Sequence, residues 1–247
     1  MSGTDLKKTY LCIGASSDVC SEYIGHLVRN NPAGITVLAH SFSRQGRFDE
    51  LKKSYPKAQI VDLKADLSDA DQVEAMIRSI RDGSYDIDHF LFFPALKFEY
   101  MRLKELDLQR VEKSFAVQAE SFMILAKEFF PAMKKKENAR ALVMLTSYVA
   151  DDMPPKFMTD YVVAKYALLG AMKAAAAEYG GGKLMINGIS PEMMDTSFLE
   201  KLDPKVREMS LYKNGKLLVP SDLFETMDEM LSEDFAENGT NRKICIS

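Results

Sequence analysis

Seven short, largely apolar runs punctuate this chain, and a helical pattern separates each from the next. They begin at Tyr10, Ile35, Gln59, Asp88, Ala141, Lys183 and Asn241. Strands that alternate with helices pack as parallel neighbours, because each helix carries the chain back across one face of the sheet. The predicted fold class is therefore α/β: a doubly wound parallel sheet of about seven strands with helices on both faces. Helix starts are marked by capping residues. Ser17 or Asp18 opens the first helix, Asp69 a helix over Ala70–Arg81, Asp107 a long helix over Leu108–Met133, and Ser221 the last helix, to Leu231.

The first strand ends at Gly14, and Ala15-Ser16-Ser17-Asp18-Val19 leads straight into a helix. A strand, a small-residue turn and a helix start make an anion site, where backbone N–H groups and the helix dipole face a phosphate. In dinucleotide-binding sheets, an acidic residue at the end of the second strand selects NAD by binding the ribose hydroxyls. Here that end reads His40-Ser41-Phe42-Ser43-Arg44 and carries no carboxylate. Ser41, Ser43 and Arg44 suit a 2′-phosphate instead, which favours NADP and makes NAD less likely; an ordinary polar loop would read much the same.

The most specific chemistry lies between Ser147 and Lys165. Tyr161 and Lys165 are four apart and share one helix face. An ammonium beside a phenol is expected to lower the phenol's pKa and fit it for proton transfer. Ser147 lies fourteen residues before Tyr161, just after the run Ala141–Leu145, and so at a strand's carboxyl end. That edge of an open α/β sheet is where ligands bind.

Composition removes other classes. The net charge of −4 gives no basic footprint for nucleic acid or an anionic membrane. Lys134-Lys135-Lys136 is the only basic run and closes a helical pattern, as suits the helix dipole. Cys12, Cys20 and Cys245 form no close pair or metal spacing, and Cys12 and Cys245 fall in apparent strands as core residues. Reduced cytosol is the expected compartment. His26, His40 and His89 are scattered, with no zinc or Ser-His-Asp constellation nearby. No metal is expected.

Taken together, Ser147, Tyr161-x-x-x-Lys165, the glycine turn and the strand-helix alternation resemble the short-chain dehydrogenase/reductase family, in particular its ketoreductase-type members. The resemblance runs from Tyr10 to Ile246 and implies one Rossmann-type dinucleotide-binding domain over residues 1–247, with segment 192–219 covering the substrate. Of the family's Gly-x-x-x-Gly-x-Gly, only Gly14 stands here; Asp18 and Cys20 take the other glycine positions. Asp66 matches the residue that meets the adenine amino group. The family's Asn-Asn-Ala-Gly becomes Phe93-Pro94-Ala95-Leu96, so both asparagines are missing. Gln118 falls where the family has an asparagine that holds a water leading to the lysine, though an ordinary helix glutamine reads equally well. Asn187 and Pro191 match Val-Asn-x-Ile-x-Pro-Gly, with Glu192 in place of the glycine. Thr196 matches the threonine at the nicotinamide carboxamide.

The implied cofactor residues are Gly14, Ser16, Ser17, Asp18, Val19, Ser41, Ser43, Arg44, Asp66, Leu67, Pro94, Ala95, Tyr161, Lys165, Pro191, Met194 and Thr196. The implied catalytic set is Ser147, Tyr161, Lys165 and Gln118. Tyr161 gives or takes the proton of a carbonyl or alcohol, Ser147 hydrogen-bonds the same oxygen, and Lys165 tunes Tyr161 and holds the ribose. The expected activity is hydride transfer between NADP(H) and a small carbonyl or alcohol substrate. A narrower reading is a 3-oxoacyl-carrier-protein reductase, and a reading from another class is an NADP-binding sensor or scaffold whose catalysis has faded. Helices 108–133 and 161–179 imply a homodimer or homotetramer, as relatives pair them across a two-fold axis.

Overall fold

The computed structural model describes residues 7–43, 46–97, 99–150, 153–154, 156–200, 208, 211 and 215–246. Its strands are β1 (Lys8–Ile13), β2 (Ile35–Ser41), β3 (Gln59–Lys64), β4 (His89–Phe92), β5 (Ala139–Met144), β6 (Leu184–Pro191) and β7 (Asn241–Ile244). They form one sheet in the order β3-β2-β1-β4-β5-β6-β7, with every pairing parallel. The chain builds outward from β1 to β3, then returns to lay β4 on the other side of β1. That reversal opens a crevice at the carboxyl ends of β1 and β4.

The helices are α1 (Asp18–Asn30), α2 (Asp49–Ser54), α3 (Ala70–Asp82), α4 (Leu108–Phe115), α5 (Ser121–Met133), α6 (Thr159–Tyr179) and α7 (Phe224–Leu231). Two apolar cores lie on opposite faces of the sheet. One joins α3, α5 and α6 to residues such as Ala141, Val143 and Leu145. The other joins α1 and α7 to Leu142 and Met144. Consecutive residues of β5 thus serve opposite cores, as the pleat of a strand requires.

Three caps form as the sequence predicts. Ser17 accepts from Cys20 N, Asp69 from Asp71 N and Gln72 N, and Asp107 from Gln109 N. The helical run Leu108–Met133 forms with its expected ends and carries a π turn over Ala116–Glu120, where Ser121 N reaches back to Ala116 O. Two expectations are corrected. Ser221 does not cap the last helix. It lies in a 3-10 turn over Pro220–Leu223, and Asp222 accepts from Val219 N at 2.8 Å. Cys245 is exposed rather than core, because β7 ends at Ile244.

Candidate active site

The sheet's carboxyl edge carries a cleft of about 510 Å³ that runs from the β1–α1 turn to α6. At one end lie Gly14, Ser16, Ser17, Asp18 and Val19. Gly14 has φ +77°, and a Cβ there would come within 2.9 Å of Pro94 N, so only glycine fits without strain. His40 braces this turn. Its Nδ1 accepts from Gly14 N at 3.2 Å, while Nε2 donates to Ala65 O at 3.1 Å. Burial lowers the pKa of His40, which keeps the ring neutral with one nitrogen free to accept. The sequence read His40 as a scattered histidine; its role comes from a partner twenty-six residues away.

Asp18 ties this turn to the substrate side. Its carboxylate accepts from Ser197 N at 2.6 Å and pairs with Arg47 at 3.1 Å. Burial pushes its pKa up, but the hydrogen bonds to Ser197 and Arg47 outweigh burial and hold it below the usual carboxylate range. Along the same wall lie Ser43, Asp66, Leu67, Pro94 and Ala95, then Pro191, Met194 and Thr196. One predicted cofactor residue, Ser41, is buried in β2, one step off the wall formed by His40 and Phe42. Arg44 lies outside the described residues.

Tyr161 and Lys165 stand at the far end, in the first turns of α6. That helix start is anchored by Asp160, which is buried and accepts from Arg110 Nε of α4 at 2.8 Å. Lys165 is almost wholly buried and donates from Nζ to Met144 O at 2.8 Å. Burial lowers its pKa to about 7. Tyr161 departs from expectation: burial raises its pKa, while a hydrogen bond with the Thr146 hydroxyl pulls the other way. The ammonium sits 5.8 Å from the centre of the phenol ring, and desolvation remains the larger effect.

Ser147 is buried at the start of a 3-10 turn, Ser147–Val149, just past β5, and lies between two residues of the cleft wall, Thr146 and Tyr148. Gln118 does not line the cleft. It is fully buried in the π turn, with Nε2 donating to Ser114 Oγ at 3.0 Å. Its Oε1 has no partner among the described residues. Glu192, unexplained by sequence, accepts from Ile246 N at 3.3 Å and pairs with Lys243 at 3.9 Å, so it pins the chain beyond β7. The substrate end is walled by Leu96, Tyr148, Met158, Met193, Phe198 and Leu199, with Lys97 and Lys113 also on the lining. The Phe198 ring packs tilted against Tyr161, centroids 5.7 Å apart. No metal-binding cluster occurs among the described residues, and no described helix is long and apolar enough to cross a membrane.

A left-handed glycine turn opening a helix at one end of a cleft and a buried tyrosine-lysine pair at the other suit a dinucleotide-dependent oxidoreductase. Known proteins agree. Residues 28–233 match the family model described as Enoyl-(Acyl carrier protein) reductase. The 3-oxoacyl-[acyl-carrier-protein] reductase of Thermotoga maritima is 25% identical over 72% of this chain and 72% of its own length. The NADP-dependent 3-hydroxy acid dehydrogenase of Schizosaccharomyces pombe is 21% identical over 89% of this chain and 85% of its own. Among solved structures, a short-chain dehydrogenase from Burkholderia cenocepacia in complex with NADP superposes with TM-score 0.84. It shares 16% identity and covers 98% of both chains. The chain belongs to the short-chain dehydrogenase/reductase family and is an oxidoreductase.

Proposed function

We propose that this protein reduces a ketone or aldehyde with NADPH, or oxidises the matching alcohol, with Tyr161 as the acid/base. The observation that carries this reading is the single cleft that joins the Gly14 turn to the Tyr161–Lys165 pair. The residues fit a dinucleotide. The left-handed Gly14 leaves no room for a Cβ, and Ser17 caps a helix whose first residues, Asp18 and Val19, line the cleft.

When bound, the nicotinamide supplies or takes the hydride. The protein does the rest. The α1 start and Ser16 would hold the pyrophosphate, and Ser43 with Arg44 the 2′-phosphate. Asp66 and Leu67 would flank the adenine. Pro191, Met194 and Thr196 would seat the nicotinamide end. Tyr161 would give its phenolic proton to the carbonyl oxygen in reduction, or accept it back in oxidation. Lys165, buried and neutral in part near pH 7, gains its charge more easily once a ribose hydroxyl or a phenolate sits beside it. The charged ammonium then stabilises the phenolate. Gln118 Oε1, orphaned beside the π turn, suits a water that would lead protons to this pair.

The apolar wall of Leu96, Met158, Met193 and Phe198 suits a compact hydrophobic carbonyl compound. The narrower carrier-protein reading has the Thermotoga relative's name in its favour. Its docking patch is weak, since Lys136 is paired with Asp86 and Asp88 and Lys134 donates to Glu178 O. Phe115, Met123, Val163 and Tyr166 leave apolar surface exposed on α4, α5 and α6, which supports pairing of these helices in a homodimer or homotetramer. The test is a panel of carbonyl compounds followed by NADPH absorbance, with parallel titrations of NADPH and NADH. Turnover with tighter binding of NADPH supports the proposal; equal or tighter binding of NADH refutes the cofactor choice.

A further inference from the structure

The substrate end of the cleft is fastened from the cofactor end. Phe198 and Leu199 pack on a small apolar cluster of Met158, Tyr161 and Val162, separate from the two cores that flank the sheet. They lie in a short 3-10 turn, Ser197–Leu199, closed by Leu199 N on Thr196 O at 3.0 Å. Upstream, Asp195 N donates to Leu218 O at 2.7 Å. Downstream, Glu200 pairs with Lys97 at 2.8 Å, but both side chains are exposed and such pairs contribute little. The head of the turn is held by Asp18, 179 residues earlier in the chain, whose Oδ2 accepts from Ser197 N at 2.6 Å. The very next residue is Phe198, whose ring packs against Tyr161.

Asp18 opens α1 where the family's motif has a glycine, so this tie uses a side chain that the motif lacks. Both carboxylate oxygens are engaged by the protein, since Arg47 donates to Oδ1 at 3.1 Å. A carboxylate is also a poor ligand for a pyrophosphate. It has no proton to donate, and its charge opposes a second anion. We propose that Asp18 serves the substrate wall rather than the dinucleotide: it is a positioning residue that fixes Ser197–Leu199, and with it Phe198, against Tyr161. The consequence for catalysis rests on the reading of Tyr161 as the acid/base. The charged acceptor makes the bond to Ser197 N a strong one, and Arg47 aims the carboxylate. Without it the turn hangs from a backbone contact upstream and an exposed ion pair downstream. Phe198 then no longer keeps one place beside the phenol, and a carbonyl compound between them is held less often within reach of the proton.

Asp18→Ala and Asp18→Asn test this, because asparagine keeps an oxygen for Ser197 N and drops the charge. The first readout needs no turnover: hydrogen exchange at the Ser197 amide by NMR, with the β1 amides as a check that the fold is intact. In Asp18→Ala, Ser197 should exchange on the order of 10-fold faster, as the loss of a charge-assisted bond implies, and Asp18→Asn should recover most of the protection. NADPH affinity should not fall in either variant. With diacetyl, acetophenone and cyclohexanone, KM should rise on the order of 10-fold in Asp18→Ala, kcat should change less, and Asp18→Asn should restore most of the loss. Unchanged exchange at Ser197 in Asp18→Ala refutes the proposal. So does an NADPH affinity that falls in both variants, which would make Asp18 a cofactor ligand. If wild type binds NADPH yet turns over none of the three ketones, the reading of Tyr161 fails, and the exchange and NADPH titrations still decide for or against Asp18.

Discussion

The two ends of the cleft differ in how sequence and geometry relate. At the β1–α1 end the family's glycine motif is reduced to Gly14, yet the geometry holds. The turn is set by backbone, by one left-handed glycine and by a histidine brace from β2. At the β5–α6 end the motif is intact, yet burial sets the state of its groups, raising the Tyr161 pKa and lowering that of Lys165. A site built from backbone N–H groups tolerates changed side chains. A site built from buried ionisable side chains depends on their depth as well as on their spacing.

The largest expected effect lies at the β5–α6 end. Tyr161→Phe removes one oxygen and little volume, so folding and NADPH binding should persist while turnover falls by about 10²–10⁴. Undiminished turnover would reduce the family membership to a statement about fold.

Lys165→Met sharpens the comparison through stability. A lysine lowered to about 7 in the fold against 10.5 unfolded makes unfolding take up a proton between those pH values. The stability of cofactor-free protein should therefore rise with pH from about 7 to about 10.5. The burial penalty is fully present below that window and gone above it. Lys165→Met should flatten this rise and add stability at pH 7 on the order of a few kcal/mol, while NADPH affinity drops. Urea unfolding across that pH range measures both. A variant whose slope matches wild type would show that Lys165 is not held in a desolvated state.

At the other end, Gly14→Ala should weaken NADPH binding roughly tenfold and destabilise the fold by about 1–3 kcal/mol, since it forces a left-handed alanine against Pro94. Cys20→Gly, which restores the family residue, should change affinity little, because Cys20 is buried in α1 and off the cleft wall. A large gain from Cys20→Gly would mean that the degraded motif does matter. The smallest effect is selectivity. Arg44→Ala should lower NADPH affinity about tenfold and leave NADH affinity almost unchanged, the worth of one charge-assisted contact. Isothermal titration of both reduced cofactors would show it.

Much of this was legible in the sequence. Alternating runs specified the parallel sheet, because buried parallel strands must be apolar throughout. Asp69 and Asp107 announced their caps by position, and Tyr161 and Lys165 were marked by spacing on one helix. What was not legible depends on three-dimensional partners. His40 acts through Gly14 and Ala65, Glu192 through Ile246 and Lys243, and Asp18 through Ser197. The phenol's environment is not legible either, because sequence shows the lysine four residues away but not how deeply both groups are buried. The π turn at Gln118 has no sequence period to reveal it.

The central claim is that the β5–α6 end still does chemistry, and isotope transfer tests it most directly. Wild-type protein would be incubated with NADPH deuterated at the transferable position and with the ketone panel, and the products weighed by mass spectrometry. The account predicts an alcohol carrying one deuteron on the former carbonyl carbon, strongly diminished with Tyr161→Phe. Tight NADPH binding with no deuterated alcohol from any carbonyl compound would contradict it and make this protein a cofactor-binding sensor.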